Sequence, residues 1–356
     1  MYIDEMLEFE IIKTSDKSLR KRVADFLDEN GLGIDDDIRQ FVIARSGKEI
    51  VACAGLASNT LKCIAVAPEF RGTSLCVKLV NETESVANQQ GEHHLFLLTS
   101  PDNVKSFLGC GFYPIVSIEN KAVLMENTPV GIHRHCKALR AEGLVTGSKI
   151  GGIVMNANPF TLGHQFLIER ASSECDWLHI FVVEEDLSQF SFDERIAMVR
   201  DGVSRFPNVT VHPGSEYIIS RGTFPGYFLK EKKVINDVYT GIDLLIFRKY
   251  IAPALDITHR FVGTEPYCKT TAIYNCAMHH WLEDASLLSS KVIRVHEIER
   301  ITDNNRTPIS ASSVRNLLKV HDLQAVKKLV PATTIPYLHN QLSKYDYPYQ
   351  SRLLTG

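Results

Sequence analysis

The sequence predicts an α/β protein of two domains: a mixed α/β domain first, then a doubly wound domain built on a parallel sheet. Three observations predict it. The chain has 356 residues, more than one ordinary domain holds. Residues 41–127 alternate short apolar runs with turns, the pattern of antiparallel strands. From residue 150 the pattern becomes strand, loop, helix, strand, which implies a parallel sheet with helices on both faces. The expected organisation is a first domain over 1–127, a linker over 128–148, a second domain over 149–345 and a tail over 346–356.

The elements follow in order. Phe41-Val42-Ile43-Ala44-Arg45 leads through Ser46-Gly47-Lys48 into Glu49-Ile50-Val51-Ala52-Cys53-Ala54, and Leu61 to Val66 comes next. These read as three strands of a meander, ended by Pro68. Apolar positions among polar ones over 74–90 predict a helix, and Gly91 stops it. Leu95 to Leu98 reads as a strand, 102–109 as a short helix, and Gly111-Phe112-Tyr113-Pro114 as the start of a last strand pair. The linker carries Pro129, Gly131, Gly143 and Gly147, with an amphipathic turn or two around His133 to Leu139. In the second domain, strands are expected at Ile150–Met155, Leu178–Val183, Val209–Val211, Leu244–Phe247 and Arg260–Val262. Helices are expected near 164–175, 192–206 and 227–240.

Bulk chemistry excludes several classes. The net charge is −3 and the pI about 6.5, which gives no basic field for nucleic acid or an anionic membrane. No apolar run approaches the ~18 residues of a membrane span. The acidic start Met1-Tyr2-Ile3-Asp4-Glu5 is unlike a secretory signal, so a cytoplasmic protein is expected. The eight cysteines include no Cys-x-x-Cys pair and read as buried, reduced thiols, with no metal site. His93-His94, His133-x-His135-Cys136 and His279-His280 lack a second ligand set nearby and read as solvated or packed histidines. The basic stretch Lys230-Glu231-Lys232-Lys233, with Arg134, Lys137 and Arg140, is a candidate surface for an acidic partner.

The chemistry concentrates where the first strand of the second domain ends, at Asn156-Ala157-Asn158-Pro159-Phe160-Thr161-Leu162-Gly163-His164. A helix opens there, and its N-terminal amides and dipole attract phosphate. Gly163 permits close approach to the backbone, and Thr161 and His164 lie three apart, able to address one point. A lone Gly-His would read as a helix cap; strand, proline turn, Thr-x-Gly-His and helix in succession read as a phosphate site. Here the chain resembles the nucleotidylyltransferase superfamily, whose signature is (His/Thr)-x-Gly-His after the first strand. Its second signature, Ile-Ser-x-Ser-x-x-Arg, is matched by Ile309-Ser310-Ala311-Ser312-Ser313-Val314-Arg315. Gly263-Thr264-Glu265 follows a strand at the position where that superfamily lines the adenine and ribose. The resemblance implies an ATP site built from Asn156, Asn158, Pro159, Phe160, Gly163, Gly263, Thr264, Glu265, Ser310, Ser312 and Ser313. It implies that His164, Thr161 and Arg315 stabilise charge at the α-phosphate, with Mg2+ held mainly by phosphates and water.

In the first domain, Cys63 to Cys76, containing Arg71-Gly72-Thr73-Ser74, resembles the acetyl-CoA-binding motif of the GCN5-type N-acetyltransferase (GNAT) fold, and Asn103 and Gly111-Phe112 match a later motif. Ser74 stands where glycine is usual, and Cys76 where glycine or alanine is. Phe107 stands where many members carry a tyrosine as general acid, and a phenyl ring donates no proton. The resemblance therefore implies a coenzyme-A-like group held near Arg71, Gly72, Ser74 and Asn103, or a retained scaffold, rather than acetyl transfer.

With a GNAT-like domain fused to a Rossmann-like nucleotidyltransferase domain, the whole chain is similar to the citrate lyase ligase family, most closely over Gly151 to His164. That resemblance implies an ATP-dependent acid–thiol ligase. Acetate would be activated as acetyl-adenylate and passed to the dephospho-CoA-derived thiol of the citrate lyase acyl carrier subunit, releasing AMP and pyrophosphate. Coenzyme A is a further candidate ligand. Two alternatives stay open: a nucleotidyltransferase adenylylating a phosphopantetheine-type or mononucleotide substrate, and an ATP-binding regulatory module with an inactive acetyltransferase fold.

Overall fold

The structure, a computed structural model, describes residues 7–143, 145–184, 188–218, 232–265, 269–287, 290–302 and 307–341. Cys268, the pair Lys230-Glu231 and the 346–356 tail lie outside them. The chain divides into two compact units, Met1–Arg134 with Arg221–Ile242, and His135–Ser220 with Asp243–Gly356.

The first unit carries β1 (Leu7–Lys13), α1 (Lys17–Glu29), β2 (Gln40–Ser46), β3 (Glu49–Ala57), β4 (Thr60–Val66), α2 (Leu75–Gln89), β5 (Phe96–Thr99), α3 (Val104–Gly109), β6 (Tyr113–Ile118) and β7 (Ala122–Glu126). Its seven-stranded sheet runs β1-β2-β3-β4-β5-β7-β6. The expected meander is β2-β3-β4, antiparallel throughout. β1 and α1 extend it at the N-terminal end, with Asp16 capping α1 through bonds from the Ser18 and Leu19 amides. β3 is buried almost along its whole length, as a central strand covered on both faces must be. β4 and β5 pair in parallel only at Thr60–Phe96 and Leu61–Leu97. Past those two rungs the strands no longer pair, which leaves backbone between them open to a ligand.

The stretch read as a linker holds a full helix, α4 (Gly131–Gly143), rather than a turn or two. Buried Ile132 and Leu139, seven apart, share one helical stripe and favour continuing the helix between them.

The second unit carries β8 (Ile150–Met155), α5 (Leu162–Glu174), β9 (Trp177–Val182), α6 (Phe192–Val203), β10 (Val209–Pro213), α8 (Ala252–Ala254), β11 (His259–Gly263), α9 (Lys269–Met278), β12 (Arg294–Ile298), α10 (Ala311–Lys319) and α11 (Leu323–Val326); α7 (Lys232–Ile246) begins in the first unit and ends in the second. The expected strand at Leu244–Phe247 is helical: α7 runs through Ile246 and continues as a π-helical turn, Phe247–Ile251. All four residues are buried, and a short apolar run cannot by itself separate a buried helix from a buried strand. The five-stranded sheet runs β10-β9-β8-β11-β12, parallel at every pairing. The chain starts at the central strand β8, builds outward through β9 and β10, then returns to β11 and β12 on the other side. The carboxyl ends of β8 and β11 therefore form the topological switch point at which such sheets bind ligands. Gly151 in β8 is fixed by packing, since a Cβ there would come within 2.9 Å of both Leu178 and Phe261.

Among the described residues no helix is long and apolar enough to cross a membrane. Cys53, Cys63 and Cys110 are buried as expected, Cys76, Cys136 and Cys175 are half-buried, and Cys276 is exposed on α9.

Candidate active site

At the switch point, Thr161 caps α5 and locks onto His164. The Thr161 amide donates to His164 Nδ1 at 3.1 Å, and the Thr161 hydroxyl lies 2.9 Å from the same nitrogen while accepting from the His164 amide at 3.4 Å. A nitrogen that accepts from a backbone N–H carries a lone pair, so the ring proton of neutral His164 sits on Nε2. Burial, aided by the charge of Arg300, lowers the His164 pKa from 6.5 to about 4. At pH 7 the ring is thus a neutral donor with a fixed tautomer. Phe160, wholly buried, stacks under it with centroids 5.7 Å apart.

The second signature meets the first. Gly163 lies so close to the Ile309 carbonyl that a Cβ would come within 2.9 Å of its oxygen. Ser310 caps α10, accepting from the Ser313 amide, and its hydroxyl lies 2.8 Å from that of Ser313. Arg315 reaches back to donate to the Asn158 carbonyl at 2.6 Å and to the Ser312 hydroxyl at 3.0 Å. Two helix N-termini, α5 and α10, and an arginine therefore converge, which suits a polyphosphate. From β11, Gly263 continues into Thr264, whose amide donates to Ile298, and Glu265.

Most of the predicted residues are brought together in this way, with two differences in role. Thr161 was expected to donate to phosphoryl oxygens; it is 1 % exposed, and its hydroxyl serves His164 instead. The Phe160 ring, expected in the ATP site, has no exposed surface and backs His164 from the core. Asn156 and Asn158 shape the loop: the Asn158 carbonyl of the side chain accepts from the Phe190 amide, and that of Asn156 accepts from Arg195 at 2.8 Å. The Asn158–Pro159 peptide is cis.

Sequence reasoning missed two arginines. Arg195, fully buried, donates to the backbone carbonyls of Asn156, Phe190 and Val183 as well, tying the signature loop to α6. Arg300, just past β12, pairs with Glu265 at 2.6 Å and packs beside Gly263. It brings a cation to the His164 side of the switch point. Their only sequence signal is an arginine near a strand end or in a helix, which is too common to single out.

The first unit holds a cavity of about 490 Å3 where β4 and β5 part. Arg71, Gly72, Asn103 and Phe107 line it; Ser74 lies just beyond, at the α2 N-cap. Arg71 is spent on its own fold, donating to Val66 and to Asn30, so it shapes the cavity mouth. Gly72 has φ +79°, a conformation that glycine adopts freely. Arg140, a candidate for partner contact, instead donates to the Pro253 and Ala254 carbonyls. Among the described residues no group of three or more His, Cys, Asp or Glu could hold a metal ion.

Comparison with known proteins agrees with both halves. Residues 150–338 match the family model of the citrate lyase ligase C-terminal domain, and residues 3–113 match that of the acetyltransferase (GNAT) family. The chain is 46 % identical over 334 residues to citrate (pro-3S)-lyase ligase of Escherichia coli, covering 94 % of each chain. It is 47 % identical to the Klebsiella pneumoniae enzyme of the same name, over 91 % of this chain and 93 % of that one. The Haemophilus influenzae counterpart is 45 % identical over 93 % of this chain and 98 % of its own.

Proposed function

We infer the reaction from one premise: the chain belongs to the citrate lyase ligase family. It is an enzyme, a ligase that uses ATP, and its proposed substrates are acetate and the thiol of the acyl carrier subunit of citrate lyase. Acetate is ionised at pH 7 and needs no general base. Its oxygen attacks the α-phosphorus of ATP, a P–O bond breaks, and pyrophosphate leaves. The carrier thiolate, having given its proton to solvent, then attacks the acetyl carbonyl and displaces AMP, leaving an acetyl thioester. ATP and a carrier of this kind belong to the cytoplasm.

Negative charge grows on the phosphoryl oxygens in the first step, so fixed donors lower the barrier most. The His164 Nε2–H is such a donor. Its partner atom Nδ1 is already occupied, so the ring need not reorganise as charge develops. Arg315, Arg300 and the amides and hydroxyls at Ser310 to Ser313 hold the triphosphate; Gly263, Thr264 and Glu265 line the nucleoside. The residues fit a phosphate-borne Mg2+: Glu265 is engaged by Arg300, so the ion would rest on phosphate oxygens and water, supplying further charge neutralisation.

The observation that carries this reading is the joined pair of signatures, His164 with a fixed tautomer packed against Ile309–Arg315. The test is exchange of labelled pyrophosphate into ATP. Exchange should require acetate, and His164→Ala should lower it by at least about a hundredfold. Exchange without acetate, or undiminished exchange in that variant, would remove the adenylate or the histidine from the mechanism.

A further inference from the structure

In the first unit, two of the thiols that the adenylate chemistry does not use lie side by side. Cys76 lines the 490 Å3 cavity and is the second residue of α2, where first-turn amides and the helix dipole favour a thiolate. Behind it, at the end of α3, Cys110 is 6 % exposed, with its Sγ 4.0 Å from that of Cys76. Either thiol can donate to the other across that distance; the contact lowers Cys76 and raises Cys110, which burial raises further. One sulfur faces the cavity and is activated; the other is screened and keeps its proton. That is the division between an attacking and a resolving cysteine.

The cavity also says what reaches Cys76. Its walls include Ile64 to Val66 of β4 and Leu98 to Ser100 at the end of β5, beyond the last paired rungs of these strands. An extended ligand bearing amides can bond to such backbone as an added strand would. A pantetheine arm is such a ligand and ends in a sulfur.

We propose that Cys76 and Cys110 form a thiol–disulfide exchange site whose substrate is a disulfide of a pantetheine-type thiol. The Cys76 thiolate attacks one sulfur of the bound disulfide; the S–S bond breaks and the other half leaves as a thiolate that takes a proton from solvent. Cys110 gives its proton to solvent and attacks Cys76, forming the protein disulfide and releasing the second half as a thiol. Two protein thiols are oxidised and one substrate disulfide is reduced, with no further oxidant. Such a step would restore an oxidised arm to the thiol that the acetylation needs. Only the choice of disulfide rests on the proposed ligase reaction.

The test is a single turnover of the full-length, reduced protein with the symmetrical disulfide of pantetheine, with cystine as control. Wild type should release two pantetheine thiols per chain, and peptide mapping should join Cys76 to Cys110. Cys110→Ala should stop with pantetheine on Cys76, and Cys76→Ala should leave Cys110 unmodified. Should Cys110→Ala not fold, acid quenching of the wild-type reaction at short times traps the same adduct. Reaction with the pantetheine disulfide should outpace cystine at least about tenfold, or ~1.4 kcal/mol. Adducts confined to exposed Cys276 or other thiols, or equal rates with both disulfides, would overturn the proposal. Pyrophosphate exchange measured on the same preparation separates the two readings: its failure would count against the adenylation and leave the thiol result standing.

Discussion

Thr161 serves His164 from the side a substrate does not reach: it caps the start of α5 and its amide and hydroxyl lie on Nδ1. Thr161→Val keeps the shape and removes the hydroxyl, so the cap loses its acceptor and the ring loses one neighbour of Nδ1. Unfolding by urea should show about 1 kcal/mol less stability, the usual worth of such a cap. Pyrophosphate exchange should fall further than that loss explains, while Thr161→Ser should keep most of both. Equal exchange in the valine variant would show that the hydroxyl does not position the ring. The signature residues were legible in the sequence because each lies within a few positions of its motif partners. Arg195 and Arg300 were not, because their partners Asn156 and Glu265 lie far away in the chain and meet them only when β8, α6, β11 and β12 are in place. The same limit hid the role of Thr161: motif spacing says that two side chains converge, and only folded geometry says that they converge on each other.

Elements carry the site through close approach. The N-terminus of α5 and the entry to α10 touch at Gly163, and the contact is with backbone, the Ile309 carbonyl. A flexible side chain could swing aside; a carbonyl held in the loop before α10 cannot do so without moving Ser310. Gly163→Ala should therefore part the two phosphate-facing helix ends. The expected outcome is a loss of about 1–3 kcal/mol of stability, the range for overpacking, with a raised KM for ATP. A variant with unchanged KM and unfolding midpoint would mean that the loop yields freely. The alternation of strands and helices was readable because each element has its own period. Leu244–Phe247 escaped that logic: its four apolar residues fit a strand as well as a helix, and the deciding fact is the buried, continuous α7 around them. In the linker, turn-forming glycines at 131 and 143 were read as interruptions, whereas they bound a helix at its two ends.

Over the whole molecule, histidines set how stability responds to acid. His179 and His212, on the neighbouring strands β9 and β10, are 0 % and 2 % exposed and bond to each other at 2.9 Å. Burial holds both neutral, lowering His179 from 6.5 to about 3 and His212 from 6.5 to about 4; His164 is lowered in the same way. In the unfolded chain these rings take protons near pH 6.5, and in the folded chain they do so only well below it. Their stability is thus complete above pH 6.5 and is lost as pH falls toward 4. His279 acts in the opposite sense, since its bond to Glu283 raises its pKa. It supports the fold below pH 6.5, but its side chain is 44 % exposed and screened, so the offset is small. Carboxylates whose pKa is lowered, such as that of Glu283, lose their contribution only from the ordinary carboxylate range downward, and Glu84, raised by burial, offsets part of the loss, so the histidines dominate between pH 6.5 and 4.5. Each of the three rings loses about 2 kcal/mol over that interval, so urea unfolding across it should lose on the order of 6 kcal/mol before the offsets. A midpoint that stays level from pH 7 to pH 5 would mean that the buried pair titrates as freely when folded as when unfolded, and that the β9–β10 face of the second unit admits water.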